Sequence, residues 1–262
     1  MKSVYYWSPC LNKVGTVKST VNSAISLSKY SKKEYVIKVI NICGEWEDYK
    51  KIFKKNNIDV INFNFNYFKY LPKKGFIQSR FSYLIMIVLS TIPLYRILKK
   101  DKPEFIILHL LTSLPLLLLS FFDFKTNFIL RISGYPKLNF WRKILWKVSS
   151  KKLAKITCPT KDLISQLREL KIFQNESIVY LPDAIINIKD FISQCKNNLD
   201  ENIKNKKKYF ISAGRLTKQK NFSYLIDEFY EFSRKNNEID LLIFGEGEEK
   251  NNLIRLIKKK NF

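Results

Sequence analysis

Late in the chain, Ile211-Ser212-Ala213-Gly214-Arg215-Leu216-Thr217-Lys218-Gln219-Lys220-Asn221-Phe222 joins three textures in one short stretch. An apolar run that begins at Tyr209 stops at Gly214, and a loop then presents Arg215, Lys218 and Lys220. From Phe222 onward, Phe222, Leu225, Ile226, Phe229 and Phe232 recur at helical spacing, which predicts a helix over Phe222–Arg234 with Asn221 as its N-cap. A strand, Ile239–Phe244, and a helix, Glu248–Lys260, come next. That helix is acidic at its start and lysine-rich at its end, as the helix dipole prefers. Strands alternating with helices predict a parallel sheet. Ligands of such sheets bind outside the carboxyl ends of the strands, and helix N-termini favour anions. An Arg that forks onto phosphate oxygens, with a Lys as a point charge, would make a diphosphate clamp. A solvated basic loop accounts for the same cations, and the residues alone leave both readings open.

The same alternation fills the chain upstream. Strands are expected at Val4–Trp7, Tyr35–Ile42, Ile58–Phe63, Phe105–Leu108, Asn127–Ile132, Ala154–Cys158 and Ser177–Leu181. Helices are expected at Val14–Lys29, Asp48–Asn56, Ser79–Lys99, Leu111–Phe121, Asn139–Ser150 and Lys161–Leu170. This is a doubly wound α/β domain over residues 1–175. From Pro182 the chain looks irregular, and Asp200–Lys208 is strongly charged, so residues 176–208 are expected to be a linker region. The alternation restarts over 209–262, with too few strands to close a sheet of this class.

Gly214-Arg215-Leu216, then Gln219-Lys220-Asn221, then Leu241-Leu242-Ile243-Phe244-Gly245-Glu246-Gly247 closely resemble the donor-domain start of family 4 glycosyltransferases, the glycosyl transferases group 1. The resemblance implies a GT-B fold: two Rossmann-like domains with parallel sheets, the second incomplete here, so that the chain stops short. It implies that Arg215 and Lys220 hold the diphosphate of a nucleotide-sugar, and that Gly245 and Gly247 form a tight strand-to-helix turn near the donor cleft. More weakly, Ser8-Pro9 to Val14-Gly15-Thr16 resembles the place where this family brings backbone close to the donor phosphate, with Gly15 alone where many members have two glycines. His109, the single histidine, stands at a strand end comparable to one that lies near the transferred sugar, a tentative catalytic position; a core histidine bonded to backbone is the alternative. Arg131-Ile132-Ser133-Gly134-Tyr135-Pro136 resembles the family's second cleft loop. There Arg131 and Ser133 would face an acceptor between the domains, or Arg131 would pair with a carboxylate. The two glutamates that this family carries eight positions apart cannot be placed in the chain.

Composition narrows the rest. Apolar residues make up 46% of the 262 residues, enough for a substantial core. The net charge of +24 implies attraction to something anionic, although Lys, Asn, Ile and Phe abundant together are also what an AT-rich coding sequence yields. Lysines spread along the whole chain, with most aromatics in strands and apolar helix faces, disfavour a nucleic-acid binder. Cys10, Cys43, Cys158 and Cys195 form no CxxC pair, which suits a reducing cytosol and gives no zinc site. Gly245-Glu246-Gly247 lacks the third glycine of a dinucleotide fingerprint, and no Asp-x-Asp is present. No cofactor and no metal are therefore expected beyond the nucleotide-sugar substrate. Phe81–Tyr95 and Phe105–Phe122 are uncharged. A strand running into an apolar helix explains the second, and shallow insertion of one helix fits better than a span. The expectation is a cytoplasmic glycosyltransferase, peripheral at an anionic inner membrane face, acting on a surface-glycan or lipid-linked acceptor. Its rivals are a non-catalytic remnant that binds without turnover and a basic surface binder.

Overall fold

The computed structural model describes residues 2–11, 15–65, 67, 69–72, 76–195 and 208–260, without the side chains of residues 76, 77 and 190. The helix start expected at Val14, most of the charged stretch from Asp200, and the boundary at Phe262 lie outside the described residues. The chain divides into two units, Met1–Phe191 and Ile192–Phe262.

The first unit runs β1 (Lys2–Trp7), α1 (Gly15–Tyr30), β2 (Tyr35–Asn41), α2 (Lys50–Lys55), β3 (Ile58–Asn62), α3 (Phe76–Lys100), β4 (Phe105–Leu108), α4 (Ser113–Phe121), β5 (Asn127–Arg131), α5 (Phe140–Ser150), β6 (Leu153–Cys158), α6 (Lys161–Glu169) and β7 (Ile178–Tyr180). A further helix, α7 (Ile188–Cys195), crosses the boundary between the units. Among the described residues the seven strands form one sheet in the order β3-β2-β1-β4-β5-β6-β7, with every pairing parallel. Two expectations change. β7, placed in the linker from sequence, is the edge strand of this sheet. The stretch after Pro182, read as irregular, contains α7.

Period-two alternation in the strands builds two cores. Tyr5, Trp7, Ile106 and Leu108 turn to one face, where Met86, Leu94 and Leu98 of α3, Leu116 of α4, Trp146 of α5 and Leu167 of α6 cover them. Val4, Tyr6, Ile37 and Val39 turn to the other, against Val17, Val21 and Ala24 of α1 and Phe53 of α2. Each large side chain buried this way contributes about 2–3 kcal/mol. Local chemistry sets the helix starts. Asn139 Oδ1 accepts from Arg142 N at 2.8 Å ahead of α5, and Thr160 Oγ1 accepts from Leu163 N at 3.2 Å ahead of α6.

The second unit contains β8 (Lys208–Ala213), α8 (Phe222–Ser233), β9 (Ile239–Phe244) and α9 (Lys250–Lys259), with β8 and β9 paired in parallel from Lys208↔Ile239 to Ala213↔Phe244. Its small core is Leu216, Phe222, Ile226 and Leu253. Phe210 and Ile211 point to opposite faces of β8 yet stay 53% and 64% exposed, so neither face of that strand is closed. Parallel strands are ordinarily covered on both faces.

Candidate functional site

In the first unit the strand order reverses between β1 and β4, so the crevice of this doubly wound sheet opens at their carboxyl ends. The backbone N–H of His109, just past β4, donates to Trp7 O at 2.9 Å, which places the histidine at that point. Its Nδ1 is buried and has no hydrogen-bond partner among the described residues. Burial first, and then the Arg131 guanidinium, pull its pKa down to about 4, with Asp183 opposing. His109 is therefore a neutral imidazole at pH 7, able to share a hydrogen bond but not to supply a cation.

Arg131, the last residue of β5, is buried and ion-paired with Asp183 Oδ1, and its other terminal nitrogen donates to Leu181 O. Ser19 Oγ of α1 donates to the same Asp183 oxygen at 2.8 Å. Of the two roles open for Arg131, the structure shows the carboxylate pairing; its guanidinium is committed inside the protein. Asp183, which the sequence reading passed over, ties β5, α1 and the segment after β7 together. The Leu181-Pro182-Asp183 step directly after a strand was the available signal. Ser133 and Gly134 are exposed on the loop after β5. Gly15, exposed, opens α1, and a Cβ there would meet nothing within 4 Å. A buried carboxylate, Glu45, sits just past β2 and accepts from Ile42 N and Cys43 N; burial raises its pKa. Burial pushes the thiols of Cys10 and Cys43 up to about 12 and that of Cys158 to about 11, so none is a thiolate at neutral pH.

In the second unit, two loops at the carboxyl ends of β8 and β9 are bonded to each other. Gly214 N donates to Phe244 O at 2.9 Å, Leu216 N to Glu246 O at 3.0 Å, and Glu249 N to Leu216 O at 3.0 Å. The approach is too close for side chains. A Cβ on Gly245 would lie 1.9 Å from Gly214 O, and one on Gly247 would lie 2.2 Å from Leu216 O. The glycine pair thus serves backbone-to-backbone contact with the Arg215 loop. Arg215, Lys218 and Lys220 project from that loop, exposed and without an ion pair among the described residues. Asn221 holds the N-cap position of α8 but is left-handed (φ 49°), and its side chain does not cap the helix as the sequence suggested. Asn is chosen there for its tolerance of this backbone conformation. The first turn of α8 is left open beside three cations, an arrangement suited to phosphate oxygens. Among the described residues no group of three or more His, Cys, Asp or Glu is placed to hold a metal ion.

Residues 195–262 match the family of glycosyl transferases group 1, so the resemblance carried by Gly214-Arg215-Leu216 and Gln219-Lys220-Asn221 holds over that segment. No curated protein matches the chain. Solved structures match over its whole length. A TarM mutant from S. aureus, determined with fondaparinux, alpha-GlcNAc-glycerol and UDP, is 13% identical with a TM-score of 0.64, over 100% of this chain and 76% of TarM. Anabaena HepE, determined with UDP and glucose, is 10% identical with a TM-score of 0.61, over 100% of this chain and 67% of HepE. A glycosyltransferase from Rickettsia africae ESF-5 is 14% identical with a TM-score of 0.65, over 99% of this chain and 65% of that one. At such identities the likeness is one of fold, and the fold is GT-B, with a large parallel sheet and a second, small one.

Proposed function

We propose that this chain serves a retaining glycosyltransferase that moves a sugar from a nucleoside-diphosphate sugar to a surface-glycan or lipid-linked acceptor. The observation that carries it is the Arg215 loop: cations with no ion pair among the described residues, beside a helix start without a side-chain cap, held by the Gly245-Glu246-Gly247 turn, in the segment that matches group 1 glycosyl transferases. In the reaction, the bond between the sugar's anomeric carbon and the diphosphate oxygen breaks, and its electron pair leaves with the phosphate. The acceptor hydroxyl oxygen bonds to the same face of that carbon and gives its proton to the departing diphosphate. Arg215 and Lys220 offset the charge that grows on the phosphate, which stabilises the transition state more than the ground state. Within the first unit, the amides that open α1 at Gly15 are donors of the kind an anion takes, and neutral His109 is able to share a hydrogen bond with a sugar hydroxyl. No metal or further cofactor is assigned to the reaction.

The UDP in the TarM and HepE structures makes UDP the first nucleotide to titrate. Calorimetry on the chain should show UDP binding that weakens at least about tenfold in Arg215→Ala, the loss expected for one charge-assisted contact. Equal affinity in the two proteins refutes the clamp. UDP bound tightly, with no release from UDP-sugars across a panel of glycan and lipid-linked acceptors, would support a binding remnant instead.

A further inference from the structure

We propose that the outer layer formed by α3, α4 and α5 is a docking face for an anionic phospholipid bilayer, with α5 lying flat in the headgroup region. The inference stands independently of the sugar-transfer reading. α3 is long and apolar enough to cross a membrane. However, Met86, Leu94 and Leu98 seat one side of it in the protein core, which a spanning helix would have to abandon. Its opposite side is apolar as well: Phe81, Leu84, Val88 and Ile92 follow one helical stripe, each more than half exposed. α5 repeats the pattern, burying Trp146 while Trp141, Ile144 and Val148 face outward. α4 packs against both helices and leaves Phe121 74% exposed. Tyr83, on the core side of α3, lines a cavity of about 450 Å³ with Trp141 of α5, so the two helices adjoin. Exposed apolar stripes on adjoining helices mark an interaction site.

Charge selects the occupant. No Asp or Glu occurs from residue 60 to 100 or from 124 to 161, whereas the second stretch alone carries ten Lys and Arg. On α5, Arg142, Lys143 and Lys147 are exposed beside the apolar stripe. Apolar side chains backed by exposed cations with no carboxylates among them are the composition of a helix that lies in an anionic lipid interface. A second copy of this chain would bring the same uncompensated positive charge against itself, which disfavours self-association through this face. Nucleic acid would leave the aliphatic stripe of α3 without a partner.

The tryptophans provide the test. Trp7, Trp46 and Trp146 are buried and Trp141 is 75% exposed, so a change of emission on membrane binding reports Trp141. The protein is mixed with phosphatidylglycerol-containing vesicles whose acyl chains are brominated, and with pure phosphatidylcholine vesicles. Expected are a blue shift and bromine quenching with the anionic vesicles, both lost in Trp141→Phe, which still sediments with them. Ile144→Asp/Val148→Asp should abolish the insertion signal, and Lys143→Gln/Lys147→Gln should weaken partitioning roughly tenfold or more. Both double variants should bind UDP as the parent does, which keeps this outcome separate from that of the donor site. Sedimentation with vesicles without quenching means electrostatic adsorption alone and overturns the proposal. So does an emission shift that tracks protein concentration without lipid and accompanies a dimer in analytical ultracentrifugation, since a second copy then covers the face.

Discussion

Gly245→Ala is the sharpest test of how the donor-side loops are held. The new Cβ would lie 1.9 Å from Gly214 O and 3.0 Å from Gly214 C, both backbone atoms that cannot rotate aside. Relieving the overlap means parting the two loops by more than about 1 Å, given that Cβ contacts under 3.0 Å essentially never occur. The three bonds that join the loops, from Gly214 N, Leu216 N and Glu249 N, are 2.9–3.0 Å long and cannot absorb that displacement. Losing two of them at about 0.5–1.5 kcal/mol each, with residual strain, gives a local cost of about 2–4 kcal/mol. The assay is amide hydrogen exchange on peptides covering the Gly214 and Gly245 loops, where 2 kcal/mol appears as roughly thirtyfold faster exchange. UDP affinity should fall in parallel as Arg215 loses its position. Gly134→Ala is the control, because a Cβ there meets nothing within 4 Å. Unchanged exchange and unchanged UDP binding in Gly245→Ala would refute the close-contact account of these glycines.

Asp183→Ala should destabilise the first unit by about 3–5 kcal/mol in urea unfolding, because it strands the buried Arg131 guanidinium. Asp183 also holds the His109 pKa up, so the same variant should lower it below about 4, which the ring-proton NMR signal of the only histidine reads directly. His109 is depressed in the folded state, so the unfolded chain binds the extra proton. Its contribution is therefore complete above pH 6.5 and fades as the pH falls toward 4, by up to about 3 kcal/mol, and His109→Asn should flatten unfolding curves across that window. At the left-handed α8 start, Asn221→Ala should cost about 1 kcal/mol and Asn221→Gly almost nothing, measured by thermal unfolding.

The alternating pattern made most of the fold legible. Strands and helices fall within a few residues of expectation because Ile/Val/Phe runs and 3.6-residue spacing report burial directly. α7 was hidden because it is short and follows Pro182, a residue that reads as a break. Asp183 was hidden because its partners are remote in sequence: Arg131 and Ser19 approach it only when the sheet forms. The reason for Gly245 and Gly247 was half legible. Sequence shows a tight turn, but only the fold shows that the atoms being accommodated are Gly214 O and Leu216 O. Asn221 was placed correctly and misread in role, since both a cap and a left-handed turn favour Asn.

The mutual bonding of the Arg215 and Glu246 loops also bears on the entropy of binding. A flexible cationic loop must surrender its freedom when a phosphate arrives, at roughly 1–2 kcal/mol per residue fixed. Here the backbone around Arg215 is fixed beforehand by its neighbour loop, and that cost was met when the unit folded. Binding then has to order little more than the Arg and Lys side chains themselves, so a modest number of contacts can suffice for useful affinity.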